Sequence, residues 1–294
     1  MKKVVLSAAA LMCGAVVFAQ DSDSYVDQSG SNHAATVIQA GEDHYSQVDQ
    51  MGDNSTADVN QSGEDQTAYT KQSGEDHYSY IKQSGEDSGF WFFTTPGGDN
   101  HANVDQSGYD NESYVVQDGY QNEAYVVQSA RWNDSDIDQD GTRNQAWVTQ
   151  SGKDNDSYVD QDNSYNDASV VQSGDHNESS VTQDAGFLGA GYNQAWVTQS
   201  GIDNNSEVDQ SGIGSANDAS VDQSGDDNYS SVIQYGGLFG ENAAWVTQSG
   251  DDNHSYVDQF GSSHEAAVIQ SGDDMLSVVN QSGYNQTTFV QQSN

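Results

Sequence analysis

The 294-residue chain holds one cysteine, one proline, and seven lysines and arginines against 46 aspartates and glutamates. A disulfide scaffold is excluded, because a single thiol has no partner within the chain. A collagen triple helix is excluded by the shortage of proline and the lack of glycine at every third position. At a formal net charge of −39, duplex phosphates are repelled rather than neutralised, which rules out a basic nucleic-acid binder. Leu, Ile, Val and Phe make up about 16% of the residues, a share at which strongly charged chains usually stay disordered. What overturns that composition is periodicity.

The N-terminus has to be set aside first. Lys2 and Lys3 precede an apolar run from Val4 to Val17, and Val17-Phe18-Ala19 fits the small-residue rule for signal-peptidase cleavage. Residues 1–19 therefore read as a signal peptide and 20–294 as a single repeat domain. The lone Cys13 falls inside the signal, where Leu11-Met12 make a poor lipoprotein site, so the mature chain carries no thiol. Nothing after the signal approaches the roughly 18 apolar residues of a membrane helix. The product reads as secreted, with no membrane span in the mature chain.

Glutamine marks the register: Gln28, Gln39, Gln50, Gln61, Gln72 and Gln83, then Gln106 to Gln183 in steps of 11, then Gln199, Gln210, Gln223 and Gln234, then Gln248 to Gln292 in steps of 11. In these 23 units Val or Ile stands two residues before the Gln, except at Thr70, and Ala or Ser stands four before, except at Thr288. Asn stands six before in the fourteen consecutive units from Asn100 to Asn253. The pattern N-x-[AS]-x-V-x-Q-x-G is strict period-2 alternation followed by a glycine turn. Alternation means a strand with Asn, Ala/Ser, Val and Gln on one face.

One such strand buries too little to offset its backbone entropy, so the units must stack. The small inward residue alternates Ser, Ala from Ser79 to Ser277 without a break, as two distinct sheets would require. The fold class expected is all-β: a β-solenoid of 23 strand-turn units, about 11 two-strand rungs, forming two facing parallel sheets. The expected structural ladder includes Gln106, Gln117, Gln128, Gln139, Gln150, Gln161 and Gln172 with Asn100, Asn111, Asn122, Asn133, Asn144, Asn155 and Asn166, stacked like on like so that buried amides satisfy one another.

The stretch Gln139-Asp140-Gly141-Thr142-Arg143-Asn144-Gln145-Ala146-Trp147-Val148-Thr149-Gln150 reads Q-x-G-x-x-N-x-A-x-V-x-Q and resembles the repeat of the curlin family, the secreted subunits of curli amyloid fibres. The resemblance spans almost the whole mature chain. It implies an extracellular, self-polymerising fibre subunit at the bacterial cell surface, with a nucleator and an outer-membrane secretion apparatus as further partners. This chain departs in three ways: it has more units, it is unusually acidic, and its first strand begins almost at the mature N-terminus, leaving no room for the family's secretion leader. Independently of the resemblance, the repeat runs from Ser24 to Gln292 with no cap in view, and uncovered strand edges recruit further strands. The expected function is a structural subunit that assembles end to end for biofilm matrix and adhesion. The alternative is a monomeric acidic β-solenoid surface protein binding a ligand, a cation or a surface.

Outward positions carry less decisive signals. Ala-Trp-Val-Thr-Gln recurs every fourth strand, so Trp147, Trp196 and Trp245 should form an outward aromatic face, either adhesive or a record of duplication and β-propensity. Insertions near 88–98, 187–191, 213–214 and 238–240 all follow even-numbered strands; the first contains the apolar run Phe90-Trp91-Phe92-Phe93, an interaction site or a flap folded over the sheet. His33, His44, His77 and His264 occupy the Asn slot and read as tolerated substitutions rather than metal ligands. No place gathers nucleophile, base and orienter, so no catalytic residues and no enzyme are expected. No EF-hand or calcium-roll motif occurs, so no metal site or cofactor is expected and the acids read as a solvated coat. Acids stacked one rung apart repel at short range. Fibre growth followed by dye fluorescence is therefore expected to accelerate at low pH, with added salt or with calcium, and chelator should reverse the calcium effect.

Overall fold

The computed structural model describes residues 4–8, 14–85, 88–90, 93–95, 98–186, 191–238 and 240–294. No helix occurs among them, and hence none long and apolar enough to cross a membrane. The chain divides into two compact units, residues 1–143 and 144–294, built on the same rule. Each alternating run becomes a strand, and each glycine turn sends the chain to the facing sheet. The next run then lands in parallel register on the strand two before it.

In the first unit, the first sheet stacks Asp23–Ser31, Tyr45–Asp53, Thr67–Glu75, His101–Tyr109 and Glu123–Arg131, so that Gln28, Gln50, Gln72, Gln106 and Gln128 are register partners. Its second sheet stacks Ala34–Glu42, Thr56–Glu64, Tyr78–Ser84, Glu112–Tyr120 and Asp134–Thr142, aligning Gln39, Gln61, Gln83, Gln117 and Gln139. Val4–Ala8 and Gly14–Gln20, within the stretch read as a signal, pair in parallel with Asp23–Ser31 and Ala34–Glu42 in the uncleaved chain.

In the second unit, seven strands from Gln145–Lys153 to Thr287–Ser293 align Gln150, Gln172, Gln199, Gln223, Gln248, Gln270 and Gln292. Six strands from Asp156–Ser164 to Leu276–Tyr284 align Gln161, Gln183, Gln210, Gln234, Gln259 and Gln281. The two units together hold the 23 repeat strands, arranged as a β-solenoid with parallel sheets. Insertions do not disturb the register, because all of them fall in turns that follow a second-sheet strand. The first contains a short antiparallel pair, Ser88–Phe90 with Phe93–Thr95, in which Phe93 is opposite Phe90; Trp91 and Phe92 lie outside the described residues.

The inward faces form a dry core between the sheets. Val37, Val48, Val104, Val115 and Ile137 in the first unit, and Val159, Val170, Val181 and Val232 in the second, are fully buried. From Ser79 onward the small residues segregate by sheet in each unit: Ala102 and Ala124 on the first sheet face Ser113 and Ser135 on the second, and Ala146 and Ala168 face Ser157 and Ser179. The serine column carries a penalty, since the hydroxyls of Ser79, Ser113, Ser135, Ser157 and Ser179 are buried without a hydrogen-bond partner.

Turn chemistry explains the S-G-[DE]-D signature. Gly225 has φ +109, and a Cβ there would meet the Gly250 carbonyl oxygen one rung on at 2.2 Å, while Asp227 sits in the left-handed region at φ 57. Glycine is required at the first position by both backbone and neighbour, whereas Asp or Asn is tolerated at the second. Gly225→Ala is expected to lower the unfolding free energy by about 2–3 kcal/mol. Asp227→Gly in the same turn should stay within about 1 kcal/mol, both read by denaturant unfolding of the soluble chain.

Candidate functional site

The buried amide ladders dominate the interior. In the first unit Gln106 Nε2 donates to Gln128 Oε1 at 2.9 Å, to the Tyr78 carbonyl at 2.8 Å and to the Asn111 carbonyl at 3.0 Å. Gln83 does the same toward Gln117 Oε1, Thr67 O and Asn100 O. Each amide thus ties its strand to the next rung, to the facing sheet and to its own turn. Gln117 continues to Gln139 Oε1, and Gln128 and Gln139 reach the Glu112 and Glu123 carbonyls. In the second unit Gln150 donates to Gln172 and Gln161 to Gln183, each at 2.8–2.9 Å, and Gln172 continues to Gln199. All seven of the expected ladder glutamines are fully buried.

The asparagines do different work at the turns. Asn111 Nδ2 donates to the Ser107 carbonyl four residues back, and its Oδ1 accepts from the backbone N–H of Asn133 at 3.0 Å. Asn100 Oδ1 likewise accepts from Asn122 N at 2.9 Å, while Asn144 and Asn155 in the second unit accept from Asn166 N and Asn177 N. Asn100, Asn111, Asn122, Asn133, Asn144, Asn155 and Asn166 are all buried. They are turn staples as well as a ladder, a distinction the spacing alone does not carry.

Histidine can fill this slot because imidazole presents the same donor and acceptor. His44 Nε2 lies 3.1 Å from the Ala40 carbonyl, and His44 Nδ1 accepts from Gln66 N at 3.3 Å. His33 and His77 repeat the arrangement with Ser29 O and Ser55 N, and with Ser73 O and Asn111 N. The geometry requires the neutral Nε2–H tautomer. Burial, opposed by the hydrogen bond to Ala40 and by Asp65 and Asp43, holds the His44 pKa below its ordinary 6.5, and burial does the same for His77. Among the described residues no three His, Asp or Glu side chains converge as a metal-ligand set.

Outward columns are ordered as well. In the first unit Tyr25, Tyr45, Tyr69, His101 and Tyr125 stack with ring centroids 5.4–5.8 Å apart. Its members alternate between two outward positions of the repeat, so the column shows in the sequence only when aromatics are tallied on every second unit. In the second unit Trp147, Trp196 and Trp245 occupy one column at every second rung, with Ser169 and Ser220 between them. Trp196 and Trp245 are exposed. Of the apolar insertion, Phe90 and Phe93 end the short strand pair described above.

Acids at the turns of the second unit are partly stapled: Ile202 N donates to Asp226 Oδ1, Asp226 N to Asp251 Oδ1 and Asp251 N to Asp273 Oδ1. Crowding shows in Asp227, whose carboxyl is raised first by loss of hydration and then by Asp252 and Asp203.

Residues 20–52, 52–85, 97–129, 110–141, 133–162, 213–237 and 240–272 match the curlin associated repeat, well over half the chain. The chain belongs to the curlin family. No curated protein matches it. The stretch 163–212 between curlin matches keeps the same ladder, since Gln172, Gln183, Gln199 and Gln210 are bonded in the same way. Curlin repeats on a β-solenoid make this a curli-type subunit, a structural kind of protein.

The histidines set a pH dependence. A lowered folded pKa means the unfolded chain takes up the proton first, so stability is retained above 6.5 and lost as pH falls from there toward the folded value. Asp156, Asp167, Asp209 and Asp218 work in the opposite sense: burial raises them above 3.8, so their contribution is full below that pH and fades as pH rises through the raised values. Replacing His44 and His77 by Asn is expected to flatten the loss of stability just below pH 6.5, measured by denaturant unfolding from pH 7.5 to 5.

Proposed function

We propose that this chain is a secreted subunit that assembles end to end into extracellular curli-like amyloid fibres, serving biofilm matrix and adhesion. The observation that carries the reading is the in-register ladder of buried glutamines on parallel strands in a chain of curlin repeats, a stacking rule that a second copy can follow as well. Among the described residues Thr287–Ser293 pairs with His264–Ser271, and Leu276–Tyr284 with His254–Ser262. Inward Thr288, Val290 and Gln292 are partly exposed, whereas Ala266, Val268 and Gln270 one rung back are buried. Gln292 accepts from Gln270 and donates to the Leu276 carbonyl, with no further glutamine ahead of it among the described residues. On this reading a second copy presenting Gln28, Val26 and Ser24 continues the ladder from Gln270 and Gln292.

On this reading residues 1–19 are a signal peptide, and its removal frees the outer edges of Asp23–Ser31 and Ala34–Glu42 for that contact. Growth outside the cell calls for an outer-membrane secretion apparatus and a nucleator as partners. Purified residues 20–294 are expected to form filaments with a 4.7–4.8 Å meridional spacing. Val290→Asp, at the partly exposed last rung, should slow elongation roughly tenfold while leaving far-UV circular dichroism of the fresh soluble chain unchanged. A chain that stays a soluble monomer for days at high concentration removes the proposal.

A further inference from the structure

The outward face of the second unit's first sheet is a comb. One column reads Trp147, Ser169, Trp196, Ser220, Trp245, Ala267, Phe289, each in register with the next, so a large ring alternates with a small side chain. Trp196, Trp245 and Phe289 are 38%, 43% and 62% exposed. At 4.7–4.9 Å per strand, equivalent rings recur about every 9.5 Å. The rows bearing the rings are uncharged where they flank them: Gln194 and Thr198, Ala243 and Thr247, Thr287 and Gln291. In a chain of net charge −39, the ring-bearing rows are uncharged beside the rings, while the rows between them carry Asp218, Asp222 and Glu265.

A groove of about 520 Å³ runs beside the comb, lined by Tyr192, Gln194, Asp218, Glu241, His264 and Glu265 among others. Gln194, Asp218, Ala243, Glu265 and Thr287 are register partners two residues before the aromatic column, so they share its face. The inserted residues near 213–214 and 238–240 precede the lengthened strand Ala216–Asp226 and the strand Glu241–Ser249, whose first residues line the groove. Two acceptors there have no donor: Asp218 Oδ1 and His264 Nδ1 are both buried and unpartnered. His264 is 1% exposed and its Nε2 lies against the Phe260 carbonyl, which leaves Nδ1 as the lone-pair nitrogen. The other histidines in this slot pair Nδ1 with a backbone N–H one rung on.

We propose that this comb and groove bind an extended neutral β-linked polysaccharide. A pyranose ring offers an apolar C–H face for an indole and a rim of hydroxyl donors for buried acceptors, the mix of aromatic walls and few polar anchors that ligand sites use. In an extended β-linked chain alternate sugars flip, so equivalent faces recur every second sugar, a step that matches two rungs. Anionic polymers are repelled by Asp218, Glu241 and Glu265. The same acids would hold a polycation at the groove, but the uncharged positions beside Trp196 and Trp245 give it no partner at the indoles.

The inference deepens the adhesive part of the proposed function. It rests on groups within one chain, so it can be tested before any filament forms. Freshly desalted full chain is titrated with cellohexaose while indole fluorescence is followed, and retention on insoluble cellulose is measured, with polygalacturonate and chitosan oligomers as charged comparators. Saturable quenching by cellohexaose and retention on cellulose are expected. Trp196→Ala with Trp245→Ala should weaken binding roughly tenfold or more, Asp218→Asn should weaken it less, and Tyr25→Ala in the first unit should change nothing. Circular dichroism shows whether each variant keeps its strands, and the conservative Trp196→Phe is expected to restore part of the binding. Absence of retention, equal retention of the double variant, or preference for either charged polymer overturns the inference. So does a double variant that loses filament bundling yet still binds cellulose, which assigns the comb to contact between copies. Cellohexaose binding by a chain that never forms filaments would leave this inference standing and remove fibre assembly.

Discussion

A buried carboxamide has to find a partner for each of its polar atoms, and here the carboxamide one rung away and the carbonyls of the facing sheet and the turn supply them together. That constraint organises the molecule. It forces parallel, in-register stacking, since a slip of one residue would turn every glutamine to the solvent face. It also explains why a chain so poor in large aliphatic residues folds at all. Gln106 fastens a strand to its neighbour, to the facing sheet and to the following turn together, so one side chain performs three linkages that a globular core divides among many contacts.

The turns follow from the same demand. Rungs stack at a fixed spacing only if the corner repeats identically, and the corner brings one glycine against the carbonyl of the next. Where Ala130 stands in that place, its φ falls to 74°, against 101–135° for most of the equivalent glycines. Extra residues are accommodated because they fall in turns, after a second-sheet strand has ended. This is how the insertions change the outer surface of the second unit without touching its ladder.

Charge enters as a secondary term. The acids occupy turns and outward faces, where water and backbone N–H groups moderate their repulsion, and Asp226, Asp251 and Asp273 each accept a backbone hydrogen bond from the rung before. Protonation reaches the interior at His44, because its Nδ1 must stay a lone pair to accept Gln66 N–H. Curlin repeats in this chain thus combine a nearly uniform interior with an exterior that differs from unit to unit.

Strand identity, inward face, two-sheet coiling and the ladder residues were legible in the sequence, because period-2 alternation with an invariant polar marker admits one geometry. The repeat that places Gln106 and Asn111 also places their partners. The Tyr78 carbonyl that Gln106 reaches was not legible, since it depends on how far the sheets stand apart, nor was the stapling role of Asn111, which depends on how the turn closes. The stacking of Tyr45 on Tyr69, and the groove where Asp218 and His264 are left without donors, were also out of reach. Linear order shows which residues share a face. Which of them come within bonding distance across rungs is set by three-dimensional packing alone, because contacts such as those of Gln106 with Gln128 and Tyr78 join residues 22 and 28 positions apart.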